Sequence, residues 1–401
     1  MDSSSSYKEM VIGKIEELKP RLIELSGWLH DNPELGSEEY RAAELLSSVL
    51  EKQGFSVERN LLSMPTAFRA SFHGRKDSPR IAFLAEYDAL PGIGHACGHN
   101  IIGISAVGAG IATSELTREL GGTVTVLGCP AEEGRGPSAS SKCRMVKEGI
   151  FEDIDFALML HPFDNWATGS PALAVTGITV EFFGKTVNPA VAPEKGINAL
   201  SAALIMFDAV DHMRAQLKRE AHPVIYGIVK EGGIAPNVVP ERVVCEFGVR
   251  TSEDSYLDEL VKLIKNCARG ASIATGAKAR IRMSDERVPT KKHNKVLQEA
   301  LYSNFKSLGV DAEPPFLSLS RVPKASTDFA CVSHTVPSIE ARVAIGPTGI
   351  TTHTRKFERA TISAAGQNAL IIGTKILAMT AVDLLLSPEI RNKAWKSFKD
   401  G

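Results

Sequence analysis

The apolar positions of the first 60 residues follow the period of a helix. A first helix is predicted where leucine and isoleucine recur every three or four residues. These positions are Ile15, Leu18, Leu22, Leu25 and Leu29. A second helix is predicted from about Ser37, which we interpret as its N-cap, with Glu38 and Glu39 in the first turn and Gly54 after the end.

Short apolar runs follow, and they have the length and composition of buried strands. The runs lie at Ile81–Ala85, Thr123–Gly128 and Phe156–Leu160. Between them we predict a helix of small residues at roughly Ile101–Leu116 and a helix around Lys142–Glu148. Because strands alternate with helices, the pattern favours an α/β fold with a parallel sheet covered on both faces.

The middle of the chain has a different order of elements. It comprises strand Ala174–Lys185, helix Ile197–Leu217, strands Pro223–Val229 and Arg242–Arg250, helix Ser255–Gly270 and strand Lys278–Ser284. This β-α-β-β-α-β order is ferredoxin-like. We therefore expect a small α+β domain at residues 176–288, inserted between two parts of an α/β domain at residues 1–175 and 289–401. The second part is predicted to hold a helix from about Asn294, a strand near Ser338–Ile345 and an apolar helix at Thr361–Leu385.

Composition narrows the class of protein. The chain has 401 residues, of which 43% are hydrophobic and 23% charged, which suits one large or two medium globular domains. A net charge of −1 argues against a nucleic-acid or anionic-membrane partner. No apolar run approaches the roughly 18 residues of a membrane span, and the first residues lack the pattern of a secretory signal. Six widely spaced cysteines fit mostly inert thiols in a reducing compartment, so we expect a cytoplasmic protein.

Residue types that bind metals follow the predicted strands. Four segments share this property, namely Ala85–Asp88, Cys129–Glu133, His161–Pro162 and Thr351–Arg355. In open α/β sheets, ligands bind beyond the carboxyl ends of the strands. Cys97 and His99 add two donors just before a helix, and thiolate, imidazole and carboxylate together suit zinc or another first-row divalent ion. Each residue alone has an ordinary structural explanation, so the prediction of a metal site depends on their gathering at one edge.

The adjacent carboxylates Glu132 and Glu133 suggest a mechanism. One can bind metal while the other takes a proton from metal-activated water, which is the chemistry of amide hydrolysis. The sequence contains neither a Gly-x-Ser-x-Gly elbow nor a Walker loop. A serine hydrolase and a P-loop enzyme are therefore disfavoured.

An ordered set of motifs resembles the family-20 zinc metallopeptidases over nearly the whole chain. The motifs are HDNPELGSEE, AEYDALPGIGHACGHN, PAEEG, the His161–Pro162 pair, GGIAPNVVPE, STDFACVSHTVP and TTHT. The resemblance is to the amidohydrolase branch, which holds hippurate hydrolases, aminoacylases, aminobenzoyl-glutamate hydrolases and auxin-conjugate hydrolases. Within that branch the chain looks most like the aminoacylase-like dipeptidases.

The resemblance implies a zinc-peptidase α/β domain and a ferredoxin-like lid that usually forms a homodimer. It also implies a co-catalytic pair of metal sites holding one or two ions per chain, with zinc expected and manganese or cobalt as alternatives. By motif position the ligands are Cys97, His99, Glu133, His161 and His353. Glu132 matches the general base and Asp88 an orienting residue near the metals, while Glu86 stands where other branches have a ligating histidine.

The lid departs from the family pattern at one position. The family usually has a histidine in a Gly-Lys-x-x-His context, where it reaches across a dimer to polarise the scissile carbonyl. Here Asn188 takes that place, and an amide can donate a hydrogen bond but carries no positive charge. Asn237 and Arg250 match residues that contact the substrate carboxylate or carbonyl in relatives, and a structural ion pair is the alternative role for Arg250.

Three hypotheses follow for the function. The leading one is a metal-dependent amidohydrolase that cleaves an N-acyl amino acid or a small dipeptide-like amide. The second is a biosynthetic enzyme on the same scaffold that forms an amide or carries out another carbonyl reaction, and it is motivated by Asn188. The third is a non-catalytic dimeric binding protein, which the retained ligand set and Glu132 disfavour.

Overall fold

A computed structural model describes residues 3–75 and 78–400, and the chain divides into two compact units. The first unit comprises Met1–Pro171, Lys292–Val322 and Cys331–Gly401. The second comprises Ala172–Lys291 and Pro323–Ala330. The predicted insertion at 176–288 falls inside the second unit, which also takes up a short later stretch that the sequence pattern does not indicate.

Ten strands are found among the described residues 3–75 and 78–400. They are β1 (Ser56–Arg59), β2 (Phe68–His73), β3 (Arg80–Ala85), β4 (Thr123–Gly128), β5 (Phe156–Phe163), β6 (Ala174–Phe183), β7 (Val224–Glu231), β8 (Arg242–Thr251), β9 (Lys278–Val288) and β10 (Ser338–Ala344).

Twelve α-helices occur in the same described ranges. They are α1 (Ser3–Asp31), α2 (Tyr40–Lys52), α3 (His99–Leu120), α4 (Ser141–Lys147), α5 (Ala199–Met213), α6 (Asp254–Thr275), α7 (Lys295–Ser307), α8 (Pro315–Leu319), α9 (Phe329–Ser333), α10 (Arg355–Thr361), α11 (Ala364–Leu386) and α12 (Pro388–Asp400).

The first unit is built on a six-stranded sheet with the order β1-β2-β4-β3-β5-β10. The four strands from β4 to β10 run parallel, which confirms the predicted α/β sheet. Strands β1 and β2 add an antiparallel edge that the sequence analysis missed. The segment Ser56–Arg59 is almost wholly exposed and carries alternating polar residues, so it lacks the apolar run that signals a buried strand.

Helix α11 corrects an expectation about membrane spans. It is long and apolar enough to cross a membrane by length and composition, although we expected no such run. In its most apolar window 78% of the helix is buried, and it packs against α1, α3 and α7 within the first unit. This burial is that of a core helix. The apolar sequence of this helix is interrupted by Gly373, Thr374 and Lys375. A search for one uninterrupted apolar run therefore did not find it.

The second unit contains a four-stranded antiparallel sheet with the order β7-β8-β6-β9. Helices α5 and α6 pack against each other and against β6 and β8. Their buried apolar side chains form one core with the inward face of the sheet. The elements follow the predicted β-α-β-β-α-β order, so the ferredoxin-like architecture is confirmed.

Two local predictions are wrong. Ser37 is not the N-cap of the second helix, because α2 begins at Tyr40 and Ser37 has a left-handed φ of 69°. Cys143 and Cys331 are not inert thiols, because a disulfide joins them. They lie 188 residues apart, so no local spacing could indicate the pair.

Candidate active site

The site begins with a close contact between the start of α3 and the end of β5. Gly98 has a φ of +83°, and a Cβ at this position would lie 2.7 Å from Cγ of Pro162. Only glycine combines this backbone conformation with so close an approach. The contact brings Cys97 Sγ to 3.5 Å from His161 Nε2.

The His99 ring is held from one side by Asp88. Its Nδ1 lies 2.8 Å from Asp88 Oδ1, and both side chains are buried. Because the carboxylate only accepts, Nδ1 is the donor, and Nε2 points to the acidic groups. Among the described residues, Nε2 has no hydrogen-bond partner, and it lies 3.7 Å from Glu86 Oε2 and 3.9 Å from both Glu132 Oε2 and Glu133 Oε1.

The two adjacent glutamates follow β4 on a short turn. The backbone N–H of Glu133 donates to Asp88 Oδ2 at 3.0 Å. Asp88 therefore fixes both the His99 ring and the start of this turn. Oε1 of Glu133 lies 3.3 Å from His353 Nε2, and the backbone N–H of His353 donates to the Ala96 carbonyl at 2.8 Å.

The predicted ligands meet in overlapping groups whose donor atoms lie within 4.8 Å of one another. One group joins Cys97, His99 and His161, and another joins Cys97, Glu133 and His353. All five sequence-predicted ligands are thus brought together, and Cys97 belongs to both groups. Glu132 forms a further group with His99 and Glu133.

The chemistry of these donors fits a divalent cation. Burial disfavours a charge on His99, but the Asp88 carboxylate and Cys97 together outweigh it and raise the pKa of His99 well above its ordinary value. Burial likewise raises the pKa of the Cys97 thiol, so a thiolate there requires a nearby cation. The position facing His99 Nε2 therefore attracts positive charge. A thiol, imidazoles and a carboxylate are also the donors that zinc and related ions prefer.

Glu86 has a cationic partner of its own. Its Oε1 lies 2.8 Å from Lys142 Nζ, and both side chains are fully buried. The exclusion of Glu86 from the predicted ligand set stays a prediction. Sequence reasoning missed Lys142, because a lysine on a short predicted helix is ordinarily a surface residue.

Comparison with known proteins identifies the family. The profile described as Peptidase family M20/M25/M40 matches residues 82–382. The chain belongs to this family. A relative from Mus musculus, described as Xaa-Arg dipeptidase, is 34% identical over 408 residues, which cover 98% of this chain and 92% of the relative. A p-aminobenzoyl-glutamate hydrolase polypeptide of Escherichia coli (strain K12) is 34% identical over 316 residues, covering 74% of this chain and 64% of the relative.

The fold comparison agrees with this assignment. A solved Bacillus subtilis structure, described as a dinuclear metal binding peptidase from the M20 family, has a TM-score of 0.68 and 21% identity. The alignment covers 92% of this chain and 99% of that chain. The resemblance seen in the motifs is confirmed, and the protein is a metal-dependent hydrolase of amide or peptide bonds.

Two of the predicted substrate-contact residues of this M20 hydrolase lie near each other in the second unit. Asn188 is exposed, and its Oδ1 accepts from the Ala190 N–H at 3.0 Å. Asn237 lies in an exposed turn, and two residues later the Val239 N–H donates to the carbonyl of Val187 at 3.3 Å. The two loops are therefore neighbours at one end of the lid sheet.

Arg250 lies at the other end of that sheet. It is eight residues along β8 from Arg242, which corresponds to about 27 Å of extended strand. Its Nε donates to Tyr226 Oη at 3.2 Å, and the guanidinium lies over the Tyr226 ring. Within one chain the structure does not bring Arg250 together with Asn188 and Asn237, and its role in substrate binding stays a prediction.

The sequence analysis also missed a buried acid in this region. Glu39 was interpreted only as a first-turn residue of α2, yet it is fully buried. Burial, reinforced by the charge of Asp88, raises the pKa of Glu39 to about 7. The sequence did contain a signal. Glu39 is the last residue of the HDNPELGSEE motif, and Glu38 alone already supplies a carboxylate for a solvent-exposed helix start.

Removal of Cys97 tests the metal centre. Protein purified without chelator is expected to contain about one to two divalent ions per chain, and Cys97→Ala should lose at least one, because its thiol belongs to two donor groups. Elemental analysis measures this directly. The matched control is Cys245→Ala, a buried thiol in the core of the second unit, which should keep the full metal content. Full retention in Cys97→Ala would contradict the ligand assignment.

Proposed function

We propose that this hydrolase cleaves the amide bond of a dipeptide or N-acyl amino acid, with Glu132 as the general base. The observation that carries the proposal is the placement of two adjacent carboxylates against the same imidazole. Both carboxylates lie 3.9 Å from Nε2 of His99, and Glu133 in addition faces His353 at 3.3 Å. Because Glu133 shares a donor group with Cys97 and His353, we assign metal binding to Glu133 and proton transfer to Glu132.

Cys97, His99, Glu133, His161 and His353 would hold one or two divalent ions. Zinc suits this mixture of thiol, imidazole and carboxylate best, with manganese and cobalt as alternatives. When bound, such an ion lowers the pKa of water and polarises a carbonyl. Asp88 holds the His99 ring and the backbone of Glu133 in place, while Glu132 accepts a proton from the attacking water and returns it to the departing amine.

The substrate class rests on the relatives. The names Xaa-Arg dipeptidase and p-aminobenzoyl-glutamate hydrolase both describe an amide whose nitrogen belongs to an amino acid. We infer that this chain releases an amino acid from such an amide, with Xaa-Arg dipeptides as the first candidates because that similarity spans 98% of the chain. A panel of Xaa-Arg and Xaa-Lys dipeptides, N-acyl amino acids and p-aminobenzoyl-glutamate, assayed with zinc, manganese and cobalt, tests the class.

Location and partners follow from the sequence. The near balance of 46 basic and 47 acidic residues supports a small-molecule partner over nucleic acid or an anionic membrane. We propose a cytoplasmic location from the few, widely spaced cysteines, and the Cys143–Cys331 disulfide, which is uncommon in that compartment, argues against it. Fractionation of expressing cells tests the location.

Replacement of Glu132 by glutamine tests the general base. Glu132→Gln removes the proton acceptor while keeping the size of the side chain, so turnover should fall by about 10²-fold to 10⁴-fold with metal content unchanged. Steady-state kinetics with elemental analysis measures both quantities. Glu148→Gln is the control, since Glu148 is exposed beyond the end of α4. Near-normal turnover in Glu132→Gln would rule out this role.

Two substitutions of Asn188 separate a hydrolase from the biosynthetic alternative. Asn188→Asp keeps an acceptor for the Ala190 N–H but removes the exposed donor, so hydrolysis should fall by about 10-fold to 10²-fold. In its neutral form, the histidine of Asn188→His can accept from the Ala190 N–H at Nδ1 and present an N–H donor at Nε2. Hydrolysis of simple amides should then rise by up to about 10²-fold. If Asn188→His damages the native reaction and leaves simple amides uncleaved, the biosynthetic alternative is favoured.

An exposed apolar edge supports a homodimer formed through the lid. Strand β7 lies at the edge of its sheet, and its outward side chains include Tyr226 at 46% and Ile228 at 60% exposure. An unpaired edge of this kind pairs readily with a second copy across a two-fold axis. Leu204 of α5 adds a further exposed apolar side chain to the same unit.

Light scattering tests the dimer. The wild-type protein is expected at twice the chain mass of 43.2 kDa, and Ile228→Lys should shift it to the monomer by placing a charge on the paired edge. The matched control is Ile273→Lys on α6, an exposed isoleucine outside this edge, which should stay dimeric. A monomeric wild-type protein at micromolar concentration would refute the assembly.

A further inference from the structure

The segment Gly36–Glu39 lies against the loop that carries the two active-site glutamates. We name residues Ala131–Ser138 the catalytic loop. At its start, the Ala131 N–H donates to Glu39 Oε1 at 2.8 Å. At its other end, Ser37 Oγ donates to the Arg135 carbonyl and accepts from the Ser138 N–H, both at 2.9 Å. Two neighbouring side chains thus bond both ends of one loop.

The two backbones approach closely, and each side has a glycine at the contact. A Cβ at Gly36 would lie 3.1 Å from Ala131 Cα and 3.2 Å from the Arg135 carbonyl. Gly136 has a φ of +77°, and a Cβ there would lie 2.6 Å from Ser37 Oγ. This contact leaves no room for the catalytic loop to shift toward Gly36–Glu39.

Strained backbone on both sides shows that the contact imposes a conformation. Ser37 has a φ of 69° and Ala131 a φ of 55°, in the left-handed region that non-glycine residues rarely adopt. Such conformations persist only where the surroundings determine them. Ala131 directly precedes Glu132, so its conformation sets the direction of the chain at that carboxylate.

The hydrogen bonds of Glu39 serve the catalytic loop rather than its own helix. Glu39 precedes α2, but its side chain makes no cap hydrogen bond to that helix. Its Oε2 accepts from Thr66 Oγ1 at 2.9 Å, and the Thr66 carbonyl accepts from the Tyr87 hydroxyl next to Asp88. Burying a carboxylate costs free energy unless it is hydrogen-bonded. The hydrogen bonds from Ala131 and Thr66 therefore account for the burial of Glu39.

We propose that Glu39 and Ser37 are positioning residues that clamp the catalytic loop and thereby aim Glu132. The inference rests on the proposed role of Glu132 as general base. Displacement of a reacting group by about 1 Å can cost about 10²-fold in rate, so a loosened clamp should lower kcat. Neither residue belongs to the donor groups, and Glu133 on the same loop is held independently by Asp88 and faces His353, so substrate and metal binding should change little.

The test compares Glu39→Ala, Glu39→Gln and Ser37→Ala with Glu38→Ala, an exposed neighbour that serves as the matched control. Glu39→Ala and Ser37→Ala should lower kcat by about 10-fold to 10²-fold, with KM and metal content within a factor of about two of wild type. Glu39→Gln should restore kcat, since an amide oxygen can accept from Ala131 while its nitrogen donates to Thr66. Glu38→Ala should behave as wild type.

Hydrogen exchange of the catalytic loop separates the clamp from the function of Glu132. In Glu39→Ala and Ser37→Ala, peptides covering residues 131–138 should exchange faster than in wild type, whether or not Glu132 is the base. Unchanged exchange in both variants would overturn the clamp, and so would faster exchange with unchanged kcat. Failure of the general-base assignment would instead appear as full turnover in Glu132→Gln. If Glu39→Ala does not fold, Ser37→Ala decides alone.

Discussion

The active site depends on one buried carboxylate that uses both of its oxygens. Asp88 holds the His99 ring through Oδ1 and the Glu133 backbone through Oδ2. It can do so because β3 and β4 are parallel neighbours in register, so that the chain leaves both strands at the same edge of the sheet. Burying a carboxylate oxygen without a hydrogen-bond partner costs free energy. The His99 ring and the Glu133 backbone are therefore both fixed relative to Asp88.

The arrangement concentrates negative charge. Asp88, Glu86, Glu132 and Glu133 all lie close to His99, and the burial of like charges is unfavourable unless cations compensate. The chain supplies one such cation in Lys142. Bound divalent ions would supply the remainder, so their binding would contribute directly to the stability of the folded site.

Much of the fold could be read from the sequence because the strong signals are local. Thr123–Gly128 is a buried strand with a continuous apolar run, and its predicted bounds are those of β4. The spacing of Cys97 and His99 and the ends of the strands indicated a metal site, and the family resemblance then implied the ligand set. What the sequence could not show depends on distant contacts. Ser37 has the chemistry of an N-cap, but its hydroxyl bonds a loop about 100 residues away, and tertiary bonds outweigh a local preference.

The Cys143–Cys331 disulfide has a consequence for the unfolded chain. The bond closes a loop of 188 residues, which contains the whole stretch Ala172–Lys291 of the second unit. In the chain-entropy account, a closure of this length lowers the conformational entropy of the unfolded chain and so raises its free energy by about 5 kcal/mol. Because this quantity grows only with the logarithm of loop length, the inserted domain could lengthen or shorten considerably with almost no change in it. In the oxidised protein, the stabilisation that the first unit gains from this disulfide is therefore nearly independent of the length of the inserted lid.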